Sequence, residues 1–586
     1  MEPSACSWRS CTPQPARMES TWVHACESPN AFSAPKLHAI PFFVAPARLP
    51  PYDLAGFTAG WIMKMLKAWV GVVLFVVAPL AQATVFTVTS TADTDGAACG
   101  PTCTLRQAIN AASAAGGTNT IEFALTGQGP YTIALASQLP AINTPGTAHN
   151  LTIDGFSQLG SVKNTNAPDQ GGINATLMVE IVGASGTYGF WFAGGAAATT
   201  LTIKGLCLHG FYIPISGNPD STVFNLNLYG SFIGTKIDGS ALPAQGNSDA
   251  IRLSKGISHI GGALPEQRNV LSGNATGVLL ATGGTVVIEG NLIGTDAGGT
   301  VAIPNGLNSG WPGIYMQGDL ANVRIGCTGV GCTNANSRNV ISGNRSFGIG
   351  IWDTYAANSG LAEIKGNYIG TDWTGTKPLP NGDATAGCPT YCGGIQLQGG
   401  MAAKPASIIG GLLSAGEANL IAFNKGAGIV SGSNQPGESF DSQGNAVHDN
   451  AGFGSTNIEV GALGPTANDA GDPDGGVNNG QNYPVVTAVN VVGQSMNVTY
   501  HVDSATSNAS YPLRVDFYRD IHGGTGELLF SDSYDAGHAQ ANKIVAIPVP
   551  VSGQPVAFVA TATDANHYTS EISPDFDVIF RNGVEK

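Results

Sequence analysis

The sequence predicts an all-β fold in which short parallel strands stack into a solenoid. Only 11% of the 586 residues are charged and 80 are glycine, yet 43% are hydrophobic. Such a chain is rich in turns but too apolar to be disordered. Near-identical stretches also recur along its length, which is the signature of a repeat architecture. These observations favour one elongated array over a series of compact domains.

The first part of the chain reads as a leader that precedes the folded protein. Residues 1–62 are rich in proline and lack apolar periodicity, so we expect them to be unstructured and to lie upstream of the true start. Residues 63–83 combine two lysines, an apolar run and the small-residue site Ala81-Gln82-Ala83, the pattern of a secretory signal peptide. The apolar run is too short to span a membrane. We therefore expect an exported mature chain that begins at Thr84 and has no transmembrane segment.

Charge excludes one class of partner. The formal net charge is -15 and no run of basic residues occurs. Binding to nucleic acid or to anionic lipid requires clustered Lys and Arg. The sequence therefore predicts no nucleic-acid partner.

Residues 84–120 predict a strand followed by a capping helix. The stretch "TVFTVTSTADT" alternates β-branched and polar residues, and "CTLRQAINAASAAGG" has the periodicity of a short amphipathic helix. Thr104 and Gln107 fit a capping box, and Gly116 would end the helix. A solenoid exposes an apolar end, which a small helix of this kind can cover.

Residues 121–462 carry the repeats. "RNVLSGN" at Arg268 recurs as "RNVISGN" at Arg338, and "GNLIGTD" at Gly290 recurs as "GNYIGTD" at Gly366. Each copy is an apolar strand, a Gly-Asn bend and a second strand. The asparagine at the bend tolerates left-handed backbone and can hydrogen-bond to its equivalent on the next coil. A period of about 20 to 25 residues would give roughly 15 coils.

Alternation along the strands assigns side chains to the interior or to a corner. Val340, Ile349 and Ile351 are expected to point inward. Asp296 and Asp372 occupy the same place in successive copies, whereas a catalytic carboxylate is needed once. An Asp followed three residues later by Gly is turn chemistry, so we place both at the corner of a coil.

Several segments resemble a known class of exported proteins. "CTLRQAI" at Cys103, "LTIDGFSQ" at Leu151, "ATATDANHYTSEIS" at Ala560 and the "NVISGN" and "GNYIGTD" units are similar to segments of secreted bacterial surface proteins. Those proteins have a right-handed parallel β-helix of the pectate-lyase-like superfold and an N-terminal CSLREA-type domain. The likeness extends over about residues 85–580. It implies a right-handed parallel β-helix that is secreted or displayed on the surface of a Gram-negative bacterium.

We expect a non-enzymatic role in adhesion, or in binding carbohydrate or extracellular matrix. Enzymes of this superfold cleave acidic polysaccharides, so a polysaccharide lyase or glycoside hydrolase with an atypical site is the alternative. A purely structural envelope component is a second alternative. The sequence does not contain the polygalacturonase-like set of Asn-x-Asp, Asp-Asp, Gly-His-Gly and Arg-x-Lys motifs. The remaining catalytic candidates, for which solvated outward side chains are the simpler explanation, are Asp353, Glu363, Lys365, Arg324 and Arg345.

The C-terminal quarter changes composition. Residues 463–484 form an acidic linker rich in Gly and Asn, and residues 485–586 contain about seven short alternating strands. This spacing predicts an immunoglobulin-like β-sandwich. In the linker, Asp469, Asp472 and Asp474 could hold Ca²⁺ through oxygen ligands, or they could be part of a plain acidic linker.

Aromatic residues on neighbouring repeats form the candidate ligand-binding surface. Alternation sends Tyr315, Gln317 and Trp352 outward, and nearby loops add Trp311 and Trp373. Aromatic rings mixed with amides on a flat sheet suit stacking against sugar rings. The alternative is that the rings pack beneath their own loops.

Six cysteines fall in close pairs, which are Cys99 with Cys103, Cys327 with Cys332, and Cys388 with Cys392. In an exported protein such pairs indicate local disulfides or free structural thiols. No histidine lies beside any of these pairs, as the alternative of a zinc site would require. Cys207 is expected to be a small apolar core residue.

Overall fold

The computed structural model describes most of the chain beyond the leader. The described ranges are 83–142, 149–192, 199–217, 223–244, 246–253, 255–280, 284–306, 310–317, 322–327, 334–353, 362–382, 392–399, 406–432, 439–450, 452, 456–473, 475–548 and 557–577. All of them belong to one compact unit, Pro79–Lys586. The predicted leader, residues 1–62, and the predicted signal peptide, except Ala83, lie outside the described residues. No helix in the described ranges is both long and apolar enough to pass through a membrane.

Three long sheets of parallel strands confirm the predicted solenoid, because each coil adds one strand to each sheet in turn. The first sheet has eleven strands, which are Thr84–Val88, Gly117–Phe123, His149–Asp154, Thr199–Lys204, Phe224–Tyr229, Gly256–Gly261, Gly284–Glu289, Asn322–Gly326, Ala362–Lys365, Ser407–Gly410 and Phe440–Gln443. The parallel part of the second sheet comprises Tyr131–Ala134, Val179–Val182, Leu206–His209, Phe232–Ile233, Val270–Leu271, Leu292–Ile293, Val340–Ile341, Tyr368–Ile369, Leu420–Ala422 and Ala446–His448. The third sheet comprises Tyr188–Trp191, Ile213–Ser216, Asp249–Leu253, Thr276–Leu280, Ile314–Gln317, Phe347–Asp353, Gly393–Gly399, Ile429–Ser431 and Ile458–Val460.

The core of this parallel β-helix is the space that the three sheets enclose. Side chains alternate strictly: in the first sheet Leu201 and Ile203 are fully buried, whereas Thr200 and Thr202 between them are half-buried on the outer face. Ile349 and Ile351 lie in the same enclosed core, as predicted. Stacked aliphatic side chains along the whole rod therefore supply its main hydrophobic stabilisation.

The number of coils is smaller than the sequence suggested. Eleven strands in the first sheet at about 4.8 Å each give a rod on the order of 50 Å, against an expectation of roughly 15 coils. Coils that follow one another at the second sheet differ in length: successive bend asparagines are 22, 48, 28, 52 and 26 residues apart. Every second coil carries long loops, so dividing the length of the chain by the short period overestimates the number of coils.

Two ladders of buried asparagines run along the rod and confirm the predicted hydrogen bonds between equivalent bends. The first ladder joins Asn269, Asn291, Asn339, Asn367, Asn419 and Asn445, with Nδ2 to Oδ1 distances of 2.8–3.1 Å. The second joins Asn247, Asn274, Asn305, Asn344, Asn381, Asn424, Asn450 and Asn457 at 2.8–3.2 Å. At these bends the left-handed backbone is adopted by glycines that precede the asparagines, such as Gly290 (φ 75°) and Gly366 (φ 68°). Glycine reaches this region without a steric penalty.

The helix Leu105–Ala115 covers the N-terminal end of the rod, as predicted. Thr104 and Gln107 form the capping box, and Gly116 caps the other end with φ 61°. The strand Thr84–Val88 pairs in parallel with Gly117–Phe123, so it belongs to the first sheet. One further short helix is Asn334–Ser337, and 3-10 turns occur at Gly155–Ser157, Pro265–Gln267, Leu413–Ala415, Val477–Gly480 and Ala536–His538.

A buried ion pair fastens this helix to the coils beneath it. Arg106 binds Asp93 through two hydrogen bonds of 2.9 and 2.8 Å, and both side chains are only 7% exposed. Arg106 also donates to the carbonyl oxygen of Gln138. The two-pronged geometry fixes the helix in orientation as well as in position.

The C-terminal part is a sandwich of two antiparallel sheets that joins the end of the β-helix. One sheet comprises Val485–Val492, Ser495–His501 and Lys543–Pro548. The other comprises Leu513–Ile521, Gly524–Tyr534, Ala557–Thr563 and Phe576–Asp577. A shared core fills the space between them, with Val498, Phe517 and Phe558 among its buried members. The second β-helix sheet continues into the sandwich where Val447 pairs antiparallel with Thr525. The immunoglobulin-like assignment stays a prediction.

Asp296 and Asp372 lie in turns at the corners of coils, as expected. Asp296 Oδ1 accepts hydrogen bonds from the backbone N–H groups of Thr300 (2.9 Å) and Val301 (3.0 Å). Asp372 Oδ1 accepts from the N–H of Thr374 at 3.2 Å. These carboxylates hold hairpins that project from the rod, and the hairpins stack because Trp373 N donates to the carbonyl oxygen of Gly299.

A segment from an early coil, residues 161–177, lies across the outer face of the second sheet; we call it the strap. It covers an outer apolar cluster that consists of Ile173, Leu177, Cys207, Phe232, Val270, Leu292 and Val340. The prediction that Val340 points inward is therefore wrong: Ile341 enters the enclosed core, and Val340 is buried on the opposite face. Cys207 is a buried free cysteine of the outer cluster, and burial raises the pKa of its thiol well above the usual value.

Candidate functional site

Three of the predicted aromatic residues meet on the outer face of the third sheet. The rings of Trp311 and Tyr315 stack with centroids 4.7 Å apart, and Trp352 stands edge-on to Tyr315 at 5.1 Å. Trp311 and Trp352 are themselves 5.3 Å apart. The strands position two of these rings, because Ile314–Gln317 and Phe347–Asp353 are neighbours in parallel register. We refer to Trp311, Tyr315 and Trp352 as the aromatic cluster.

Tyr315 is the inner member of the aromatic cluster. Its side chain is buried at 4% exposure, and this burial raises the pKa of its hydroxyl to about 12. Tyr315 therefore supports the two tryptophans from below and does not present a ring face to a ligand. Trp311 and Trp352 are only half-buried, so they are the rings that a ligand can reach.

A glycine makes the close packing of the aromatic cluster possible. Gly350 lies between Tyr315 and Gln396 across the third sheet. A Cβ at Gly350 would lie 2.5 Å from Pro312 Cγ, a distance that real carbon atoms do not tolerate. Pro312 follows Trp311 directly, so the bare backbone at Gly350 lets the chain bring Trp311 down onto the sheet.

Two glutamines border the tryptophans. Gln317 pairs with Trp352 across the sheet and is exposed. Gln396 is 1% exposed, and its Oε1 accepts a hydrogen bond of 2.8 Å from Trp352 Nε1. The Nε2 of Gln396 is buried and has no hydrogen-bond partner among the described residues. A buried N–H without an acceptor is unfavourable, so this amide would gain from an acceptor oxygen.

Sequence reasoning missed Gln396. Its alternation within "GGIQLQGG" places it outward, which is a detectable signal. Nothing in the local sequence shows that it meets a tryptophan from the preceding coil, since Trp352 and Gln396 are 44 residues apart.

The structure does not bring Trp373 to the aromatic cluster. Trp373 lies on the hairpin that follows the second sheet and packs against the outer apolar cluster. A Cβ added to Gly299 would lie 3.2 Å from the Cβ of Trp373, so Trp373 packs closely against the preceding hairpin. Trp373 thus follows the alternative in which a ring packs within its own part of the fold.

Of the predicted Ca²⁺ ligands, Asp472 is engaged by the protein through its carboxylate, whereas Asp469 Oδ1 is buried and has no hydrogen-bond partner among the described residues. Asp472 is fully buried, and its Oδ2 accepts hydrogen bonds from Gln481 Nε2 at 3.1 Å and from Ser504 Oγ. The backbone N–H of Asp469 donates to Asn482 Oδ1, and Asp474 lies outside the described residues. Within the described chain no three His, Cys, Asp or Glu side chains form a group suited to a metal ion. Both the Ca²⁺ site and the plain acidic linker therefore stay predictions.

One cysteine pair is fully described. Cys99 and Cys103 form a disulfide beside the N-terminal helix. Cys327 and Cys392 are also disulfide-bonded, and their expected partners, Cys332 and Cys388, lie outside the described residues.

Three of the five scattered charged candidates, Arg324, Glu363 and Lys365, bind one another. Arg324 pairs with Glu363 at 3.3 Å, and Lys365 pairs with Glu363 at 3.4 Å on the outer face of the first sheet. Lys365 continues the row to Glu417 at 3.0 Å. Asp353 belongs to the third sheet. These contacts form a surface ion-pair row across adjacent coils, in line with the simpler explanation.

No protein-family model matches the chain, and none of the curated proteins compared with it matches. The geometry of the site therefore carries the functional argument.

Proposed function

We propose that this protein is an exported, surface-displayed β-helix that binds carbohydrate without cleaving it. The observation that carries the proposal is the aromatic cluster, where half-buried Trp311 and Trp352 stand beside exposed Gln317 on a flat parallel sheet. The predicted signal peptide and the resemblance to bacterial surface proteins support the location.

The chemistry of the cluster suits a sugar. The faces of pyranose rings carry C–H groups that pack on aromatic rings, and their hydroxyls pair with amides. Trp311 and Trp352 supply the apolar part, and Gln317 supplies an exposed amide. Gln317 and Trp352 lie side by side on neighbouring parallel strands, which are spaced by about 4.8 Å, so one pyranose ring can contact both.

A non-catalytic role is supported by the charged candidates on the outer face of the first sheet, which is a different face of the rod from that of the aromatic cluster. Glu363 and Glu417 are engaged by Lys365, whereas glycoside hydrolysis requires two carboxylates that face one another across a substrate. A polysaccharide lyase or glycoside hydrolase is the second proposal, and an activity assay distinguishes it from the first.

The test is binding of the purified mature protein to a glycan array and to extracellular-matrix proteins. We expect binding that Trp352→Ala abolishes. The matched control is Trp191→Ala, because Trp191 is also a half-buried outward residue of the third sheet and donates its Nε1 to the carbonyl oxygen of Leu139 at 2.7 Å. Circular dichroism of each variant verifies the fold.

Three results would contradict the proposal. Equal binding by Trp352→Ala and the parent protein would place the site elsewhere. If the protein binds none of the glycans or matrix proteins, the role of a structural envelope component is favoured. Release of reducing ends or of unsaturated products from a panel of uronate and neutral polysaccharides would show an enzyme.

A further inference from the structure

Two arginine side chains lie buried under one end of the strap. Arg268 and Arg338 occupy the same position in the "RNV" repeat, each directly before an asparagine of the first ladder. Arg268 is 1% exposed and Arg338 is 9% exposed. Long charged side chains are rarely buried to this extent unless they are paired.

The guanidinium of Arg268 is held by backbone carbonyls on one side only. Its Nε donates to Gly290 O at 3.0 Å, and its Nη1 donates to Asn166 O at 2.8 Å and to Gly171 O at 3.0 Å. Its Nη2 is buried and has no hydrogen-bond partner in the described part of the chain. The strap therefore positions this side chain through neutral acceptors and leaves one donor unused.

Arg338 is a second buried cation whose charge acts on Arg268. Its guanidinium lies over the ring of Tyr368, 3.9 Å from the centroid, and its Nε is buried without a partner among the described residues. Backbone contacts bring the two arginines to one corner of the rod, because Gly290 N donates to Ser337 O while Gly290 O accepts from Arg268. One carboxylate acts on both cations from a distance: Asp169, an exposed residue of the strap, which pairs with neither in the described structure.

Two buried positive charges at one corner of the rod are unfavourable unless something neutralises them. Burial, and then the charge of Arg338, lower the pKa of Arg268 to about 10, which still leaves it protonated at neutral pH. Both unpaired donors, Arg268 Nη2 and Arg338 Nε, lack an acceptor, and each such group is destabilising. A bound anion would supply the missing charge and the missing acceptor together.

We propose that Arg268 and Arg338 form a buried site for a small inorganic anion, a halide or an oxyanion, closed by the strap. The size limit follows from burial, because an anionic group attached to a polymer cannot reach a side chain that is 1% exposed. Nonspecific attraction does not explain such binding, since the chain carries a formal net charge of -15. The site is on the second sheet and is independent of the proposed carbohydrate surface on the third.

The test begins with protein exchanged into gluconate buffer, an anion too large for the site. Chloride, sulfate and phosphate are then titrated separately at constant ionic strength while the melting temperature is followed. We expect at least one of them to give a saturable rise of about 2–4 °C. Arg338→Gln should abolish the rise, and Arg324→Gln, which removes a half-exposed arginine paired with Glu363, should retain it.

A second measurement does not depend on the variants. Crystals of the parent protein grown with bromide in place of chloride should show an anomalous peak within hydrogen-bond distance of Arg268 Nη2 and Arg338 Nε. For an oxyanion-selective site, selenate takes the place of bromide. The proposal is overturned if only water occupies the site in both crystals, or if Arg338→Gln and the parent protein respond to salt identically.

Discussion

The hydroxyl of Tyr518, in the C-terminal sandwich, accepts a hydrogen bond of 3.0 Å from the backbone N–H of Gly444, in the last coil of the β-helix. Two neighbours repeat the relationship: Thr569 accepts from Ser442 N at 2.9 Å, and Thr525 accepts from Val447 N at 3.0 Å. Within the rod, N–H groups such as these donate to the strand of the next coil, but the β-helix ends here. Side-chain oxygens of the sandwich thus take the place of the missing strand and close an edge that would otherwise be open.

Replacing Tyr518 by Phe should weaken the junction between the β-helix and the sandwich. The change keeps the ring but leaves Gly444 N–H buried without an acceptor, so we expect a loss of about 1–3 kcal/mol in the free energy of unfolding. Urea unfolding followed by intrinsic fluorescence measures it. Tyr483→Phe is the control, because the Tyr483 hydroxyl has no hydrogen bond with the described residues, and an equal loss there would refute the assignment.

Asn344, in the middle of the second ladder, should be sensitive to truncation. Its Nδ2 donates to Ile293 O at 3.2 Å and to Asn381 Oδ1 at 2.9 Å, and its Oδ1 accepts from Asn305 at 3.0 Å. Asn344→Ala leaves these buried groups unpaired, and we expect a loss of about 3 kcal/mol or more. Asn150→Ala, on the exposed face of the first sheet, should change stability by less than about 0.5 kcal/mol. Similar melting temperatures for both variants would show that the ladder contributes little.

Trp373→Ala should separate packing from binding. The ring covers the outer apolar cluster, so its loss should lower stability by about 2 kcal/mol. Binding to any glycan recognised through Trp352 should be unaffected, because Trp373 lies on a different face. The comparison uses thermal unfolding and glycan binding on the same preparation; lost binding at unchanged stability would return Trp373 to the ligand surface.

The junction should also respond to acid through Asp441. Burial opposes ionisation of this carboxylate, but the hydrogen bonds and charges of Arg514 and His567 prevail and hold the pKa of Asp441 below its ordinary 3.8. A depressed carboxyl pKa contributes stability that is complete above the unfolded-state value and is lost as pH falls through the folded-state value. Melting temperature should therefore fall as pH drops below about 3.8.

Asp441→Asn is the variant for this measurement. It leaves Arg514, which bonds to Asp441 at 2.7 Å and also to Asp516, with one counter-ion. We expect lower stability at pH 7 and a shallower fall in acid than in the parent protein. An unchanged slope would assign the acid response to other carboxylates.

Local patterns in the sequence were sufficient to predict much of the fold. The capping box at Thr104 and Gln107 depends on residues three apart, and the asparagine bonds follow from identical bends in successive copies. Strict alternation placed Ile349 and Ile351 inside and Trp352 outside. Each of these features is decided within one coil or between two matched ones, so the sequence alone contains the necessary information.

Features that join distant coils could not be read in this way. The prediction for Val340 is wrong because a strand of two residues is too short for alternation to show which side chain points inward. The outer face of this strand is also buried, and the strap that buries it comes from the distant residues 161–177. The buried donor of Gln396 and the unpaired Arg268 depend on loops whose paths follow from tertiary packing. The number of coils was overestimated because loop length is invisible to a period measured on short coils.

The alternation of short and long coils has a consequence for how the rod can change over evolutionary time. The smallest segment that restores both the motif and the loop pattern is a pair of coils, such as residues 268–337, after which "RNV" begins again. Excising that doublet would place Arg338 where Arg268 had been and join Asn247 to Asn344 in the second ladder. Adding or removing one pair of coils thus changes the length of the rod but leaves the N-terminal helix and the C-terminal sandwich unchanged.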